Sequence, residues 1–146
     1  MTGPDRAPQF SLIPSEDLAR TGEVSSLSGR ERDLLCALSY VHLACGQSAQ
    51  SVALLRLVAD DNPHDIGLLR ILAYGLIAEG NGNEALSILD RLDDLDNQPG
   101  ARLPLTLMRS HALRRAGRID EARAAFQSYV ALRTSAASVK PSKGFP

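Results

Sequence analysis

Tryptophan is absent from the 146 residues and aromatic residues make up only 4%. A core therefore cannot rest on large rings. It must be assembled from leucine, alanine, valine and isoleucine, a mixture that suits helices better than sheets. An excess of charge is also missing: 16 Lys and Arg face 17 Asp and Glu, leaving a formal net charge of −1. No global field draws such a chain to nucleic acid or to an anionic membrane, so neither is expected as a partner. Cysteine is scarce. Cys36 and Cys45 fall in one expected helix, about 13 Å apart along its axis, which is too far for a disulfide. Free thiols on a helix point to packing roles and a reducing compartment. No apolar run approaches the roughly 20 residues of a membrane span. The opening MTGPDRAPQF lacks both the basic start and the apolar run of a secretory signal, so a cytoplasmic location is expected.

What is present fits one soluble domain. Hydrophobic residues at 44% and charged residues at 23% exclude wholesale disorder. Residues 1–28 carry Pro4, Pro8 and Pro14 around a short apolar cluster of Phe10, Leu12 and Ile13, which reads as a flexible N-terminal arm. Within it Ser15, ahead of Glu16 and Asp17, has the makings of a cap for one helical turn. Residues 135–146 hold two prolines, a glycine and two lysines, the composition of a disordered tail.

Between these ends the apolar residues recur at intervals of three and four, as in Leu34, Leu35, Leu38 and Val41, then Leu68, Leu69, Leu72 and Leu76. No alternating stretch argues for a strand. The spacing predicts helices over 30–45, 48–60, 65–79, 82–94, 102–116 and 119–133. Gly46, Gly80 and Gly117 each end an apolar stretch, the first two 34 residues apart and the last two 37 apart. Glycine lets the chain reverse between antiparallel helices by adopting positive φ, and a small residue five positions later lets the second helix approach the first. That residue is Ser51, Ala85 or Ala122. Pro63 closes the first hairpin, and three extra residues are expected near Asn97-Gln98-Pro99-Gly100 in the second. The domain over 29–134 thus divides into hairpins at about 30–63, 64–99 and 100–134.

This pattern resembles the tetratricopeptide repeat superfamily over residues 31–134. Gly117-Arg118-Ile119-Asp120-Glu121-Ala122-Arg123 with Phe126 matches best, and the first unit matches through Leu35, Leu38, Gly46, Leu55 and Pro63. Ser51 departs from the usual alanine, and the early tryptophan is missing. The short chain, three hairpins and the Ala44-Cys45-Gly46 turn further resemble the small chaperones of bacterial type III secretion, the YscY type above all and the YscG needle-chaperone type next. The resemblance implies an all-α solenoid that binds a small helical secretion protein, YscX-like or a needle subunit, as a heterodimer, or that forms a homodimer without its client.

The geometry so implied puts the first helix of each hairpin on a concave face. Its inward residues would be Cys36, Tyr40 and Leu43, then Arg70, Tyr74 and Ile77, then Leu107, His111 and Arg114, with Ala44, Ala78 and Arg115 beside them. An apolar floor edged by tyrosines and arginines suits an amphipathic helix. Chemistry finds less support. His42, His64 and His111 lack ligand spacing, and neither cysteine has an orienting base, so no metal, cofactor or catalytic role is expected. Asp90, Asp93, Asp94 and Asp96 lack calcium-loop spacing and read as a solvated helix end. Gly80-Asn81-Gly82-Asn83 reads as a turn, since no strand precedes it and no Lys-Ser/Thr follows. Arg102, Arg109, Arg114, Arg115, Arg118, Arg123 and Arg133 make the third hairpin basic, either as an ordinary charged surface or as a docking patch for an acidic partner.

Overall fold

A computed structural model of the chain describes residues 27–138. The expected arm therefore lies outside the described residues up to position 26, as does the tail beyond 138. Among the described residues six helices follow one another: α1 (Gly29–Ala44), α2 (Ser48–Asp61), α3 (Ile66–Glu79), α4 (Gly82–Leu95), α5 (Arg102–Arg115) and α6 (Ile119–Ser138). A 3₁₀ turn, Pro99–Ala101, precedes α5, and no strand occurs among the described residues.

Local chemistry sets the boundaries. Ser28 and Glu31 cap α1 reciprocally, the Glu31 N–H donating to Ser28 Oγ at 3.3 Å and the Ser28 N–H to Glu31 Oε2 at 3.2 Å. Asp65 caps α3 by accepting from the Leu68 N–H at 3.1 Å, with Pro63 having stopped α2 just before. Three hairpin turns are one turn built three times. Gly46, Gly80 and Gly117 have φ of 75°, 88° and 79°. After each glycine the next N–H donates back five residues, Gln47 to His42 at 2.8 Å, Asn81 to Leu76 at 2.9 Å and Arg118 to Leu113 at 2.9 Å. The glycine N–H itself donates back three residues, at 3.0 to 3.1 Å. This is the Schellman closure, in which a left-handed glycine satisfies carbonyls that a helix end leaves open.

Each hairpin then closes on small residues. Ser51, Ala85 and Ala122, five positions after the glycines, are all buried, and so are Ser39, Ala73 and Ser110, seven positions before them. The core is leucine-rich, as the missing tryptophan requires: Leu55, Leu69, Leu76, Leu89 and Leu92 are wholly covered, together with Val52 and Val58. All seven lie in α2, α3 and α4. By contrast α1 buries only Ser39 and α6 only Ala122, so among the described residues the two end helices have a neighbouring helix on one side alone.

Helices pack in chain order, each on the next. Beyond these pairs α1 touches α3 and α3 touches α5, whereas the backbones of α2, α4 and α6 stay apart. Only side chains bridge α2 to α4, through Arg56 and Glu84 at 2.6 Å. Helices that converge on one side and spread on the other form a bent array, with α1, α3 and α5 inside the bend.

Two stretches differ from expectation. α6 runs to Ser138 rather than stopping near 133, because Ala136 and Ala137 favour helix and the Ser138 hydroxyl bonds back to the Ser135 carbonyl at 2.9 Å. The acidic run is not simply solvated. Asp90 and Asp93 hold Arg109 at 2.9 and 2.6 Å, and Asp96, buried at the end of α4, binds Arg70. Asp96 also accepts from the Gln98 N–H at 3.3 Å, which fixes the inserted segment.

Candidate functional site

The inner side of the bend carries a continuous trough. Its first part, about 540 Å³, lies between α1 and α3 and is lined by Tyr40, Leu43, Ala44, Arg70, Ile71 and Tyr74, with Gly67 and Met108 completing it. Tyr74 and Met108 also line the next part, about 290 Å³, which adds Ile77, Ala78 and Leu107 and ends on His111, Arg114 and Arg115. His111 and Arg114 carry the trough into a third part of about 290 Å³ against Ile119, Arg123 and Phe126 of α6.

Eight of the nine residues expected from the sequence therefore share this surface. Tyr40 and Tyr74 stand 59% and 60% exposed, which makes them available to a partner rather than committed to the core. Cys36 does not line the trough: it is half-buried against the core. Burial pushes its thiol above the ordinary value, with Arg32 opposing and Asp65 and Asp33 adding to the rise. Arg70 lines the trough, but its guanidinium is held by the Asp96 carboxylate, so it positions the α3–α4 hairpin rather than offering a free charge. Gly67, Ile71 and Met108 escaped the sequence reading. Gly67 was recoverable, since it lies three residues before Arg70 on the same helix face. Met108 comes from the third hairpin, one position after the expected Leu107.

A depression of similar size, about 550 Å³, sits between the end of α4 and the start of α5, where the three extra residues fall. It is lined by polar groups including Asp93, Asp96, Asn97, Arg102 and Arg109. Its acids are already spent on Arg109 and Arg70, so it reads as a joint between α4 and α5. Among the described residues no three of His, Cys, Asp and Glu come together as metal ligands, and no helix is long and apolar enough to cross a membrane. His42 is engaged with Gln47, Nδ1 to Oε1 at 2.6 Å. No protein-family model and no curated protein sequence matches the chain. The trough has an apolar floor with tyrosine and arginine side chains at its rims.

Proposed function

We propose that this protein is a tetratricopeptide-like chaperone of the type III secretion kind, which holds a helical segment of a small secreted or export-apparatus protein in the trough until delivery, in the cytoplasm. One observation carries the reading. Two tyrosines, one helical hairpin apart in sequence, stand more than half exposed over an apolar floor on the inner side of the bend. A soluble chain gains little by leaving such rings uncovered, whereas a docked helix buries them and is fixed in register by their hydroxyls. The threefold glycine turn and the buried small residues support the tetratricopeptide part, since they match that repeat's spacing. Co-expression with the small open reading frames of its locus, purification and mass determination of the intact complex test the reading. A one-to-one complex that Tyr74→Glu dissolves is the expected result. A protein that copurifies with none of them, and whose Tyr74→Glu variant supports secretion normally, would contradict it.

A second reading, an assembly scaffold, draws on a separate observation. Among the described residues α1 exposes Leu34, Leu38 and Val41 at helical spacing outside the trough, and α6 exposes Val130 there, beside Ile119 and Phe126, which also line the trough's third part. These stripes lie at the two ends of the array, where a longer solenoid would place a capping element. A stable oligomer that Leu38→Glu dissociates and Tyr74→Glu leaves intact favours the scaffold.

A further inference from the structure

The trough changes chemistry along its length. No aspartate or glutamate lines any of its three parts. At the α1–α3 end the lining is Leu43, Ile71 and the two tyrosines, and the one cation there, Arg70, is already neutralised by Asp96. Toward α5 and α6 the lining turns basic through Arg114, Arg115 and Arg123, all exposed and without an ion-pair partner among the described residues. Carboxylates that face neighbouring helices are committed elsewhere, Glu84 to Arg56 and both Asp90 and Asp93 to Arg109. Asp33, on the inner register of α1, shares Arg32 with Asp65, at 3.3 and 2.7 Å, so the surplus negative charge lies near the apolar end.

We infer that the occupant is an amphipathic helix of another protein whose apolar ridge ends in a cluster of carboxylates, seated with the ridge over α1 and α3 and the acidic end over α5 and α6. This rests on the trough being a partner site. Unpaired guanidinium groups beside an apolar floor attract carboxylates, and a charge contrast at one end gives the bound helix a direction. The chain's own N-terminal arm has the opposite order. Glu16 and Asp17 come nearer to α1 in sequence than Phe10, Leu12 and Ile13, so an arm entering from α1 would bring its acids to the apolar end first.

The test uses labelled helical peptides sharing one leucine ridge, ending in four glutamates or four lysines, each made with the charged block at either terminus. Binding to the full chain is followed by fluorescence anisotropy. The best glutamate peptide is expected to bind about tenfold tighter than its lysine twin at low salt, with the difference shrinking as salt rises. The exposed double variant Arg114→Glu, Arg123→Glu should invert the preference without changing the circular dichroism spectrum. Equal affinity, or preference for lysine, overturns the inference while leaving the trough a binding site. No binding by any peptide, or binding that Tyr74→Glu does not weaken, sinks the partner-site reading itself. A peptide that binds only a Phe10→Ser, Leu12→Ser variant assigns the trough to the arm, and a dimer split by Tyr74→Glu assigns it to a second copy; either overturns the inference.

Discussion

Individual residues carry much of this fold because the chain builds it from small side chains at close approach. Gly82 opens α4 against the end of α5, where an added Cβ would stand 2.4 Å from both the Ala112 carbonyl oxygen and the Ala116 nitrogen. Backbone cannot yield as a side-chain tip does, so Gly82→Ala is expected to cost about 3 kcal/mol or more, read from the urea midpoint. Ser51 sits in the opposite situation. Its hydroxyl is buried with no hydrogen-bond partner, at the position where the other two hairpins have alanine. Ser51→Ala should therefore stabilise the protein by about 0.5–1 kcal/mol in the same assay; a destabilised variant would show that the hydroxyl has a partner after all. The two thiols separate by environment. Cys45 is exposed at the end of α1, whereas Cys36 is half-buried and burial raises its thiol above the ordinary value. Mass spectrometry during alkylation at mildly alkaline pH should find Cys45 modified well before Cys36.

At the scale of helices, the sequence was legible wherever a local rule decided the outcome. All six helices lie within two residues of their expected bounds except at the end of α6, because turn glycines and periodic leucines act on their own neighbourhood. What escaped was set across helices. The aspartates of α4 look like an unfavourable cluster at a helix C-terminus until α3 and α5 supply Arg70 and Arg109. Likewise Ser28 reads as part of an arm until Glu31 closes the capping box. Ser28→Ala should cost about 1 kcal/mol and loosen the start of α1. α6 provides a pH-dependent case. Arg118 binds both oxygens of Glu121, and this hydrogen bonding holds the Glu121 carboxyl below its ordinary value. A lowered carboxyl stabilises the fold above the ordinary glutamate range and loses that contribution as pH falls through the depressed value. Both groups are fully exposed, so the effect is small and local. An acid titration by NMR should find the first turn of α6 loosening in the parent as Glu121 is protonated, with Glu121→Gln, which has no carboxylate to lose, already at the loosened end and showing no such step; identical titrations would show the pair to be without consequence.

Over the whole molecule, position inside the bend decides what each exposed residue can do. The repeat spacing alone puts Tyr40, Tyr74 and His111 on one face, and eight of the nine expected residues line the trough. The exception, Cys36, turns toward the core, since a helical register fixes a face only to within a residue or so. Charge at the trough was less legible than shape. Arg70 and Arg114 look alike in sequence, yet one is tied to a buried aspartate and the other faces solvent. The lack of tryptophan also makes the central claim directly measurable, because the chain has only three tyrosines, Tyr40, Tyr74 and Tyr129. Two stand in the trough and the third lies against Phe126 on α6, its ring 6.0 Å away. With 3-fluorotyrosine incorporated, fluorine NMR gives one signal for each, assigned by single Tyr→Phe variants. Addition of the copurifying partner should shift the Tyr40 and Tyr74 signals far more than that of Tyr129, which lines none of the trough's three parts. A shift of Tyr129 alone, with the trough signals unmoved, would contradict the assignment of the inner face as the binding site.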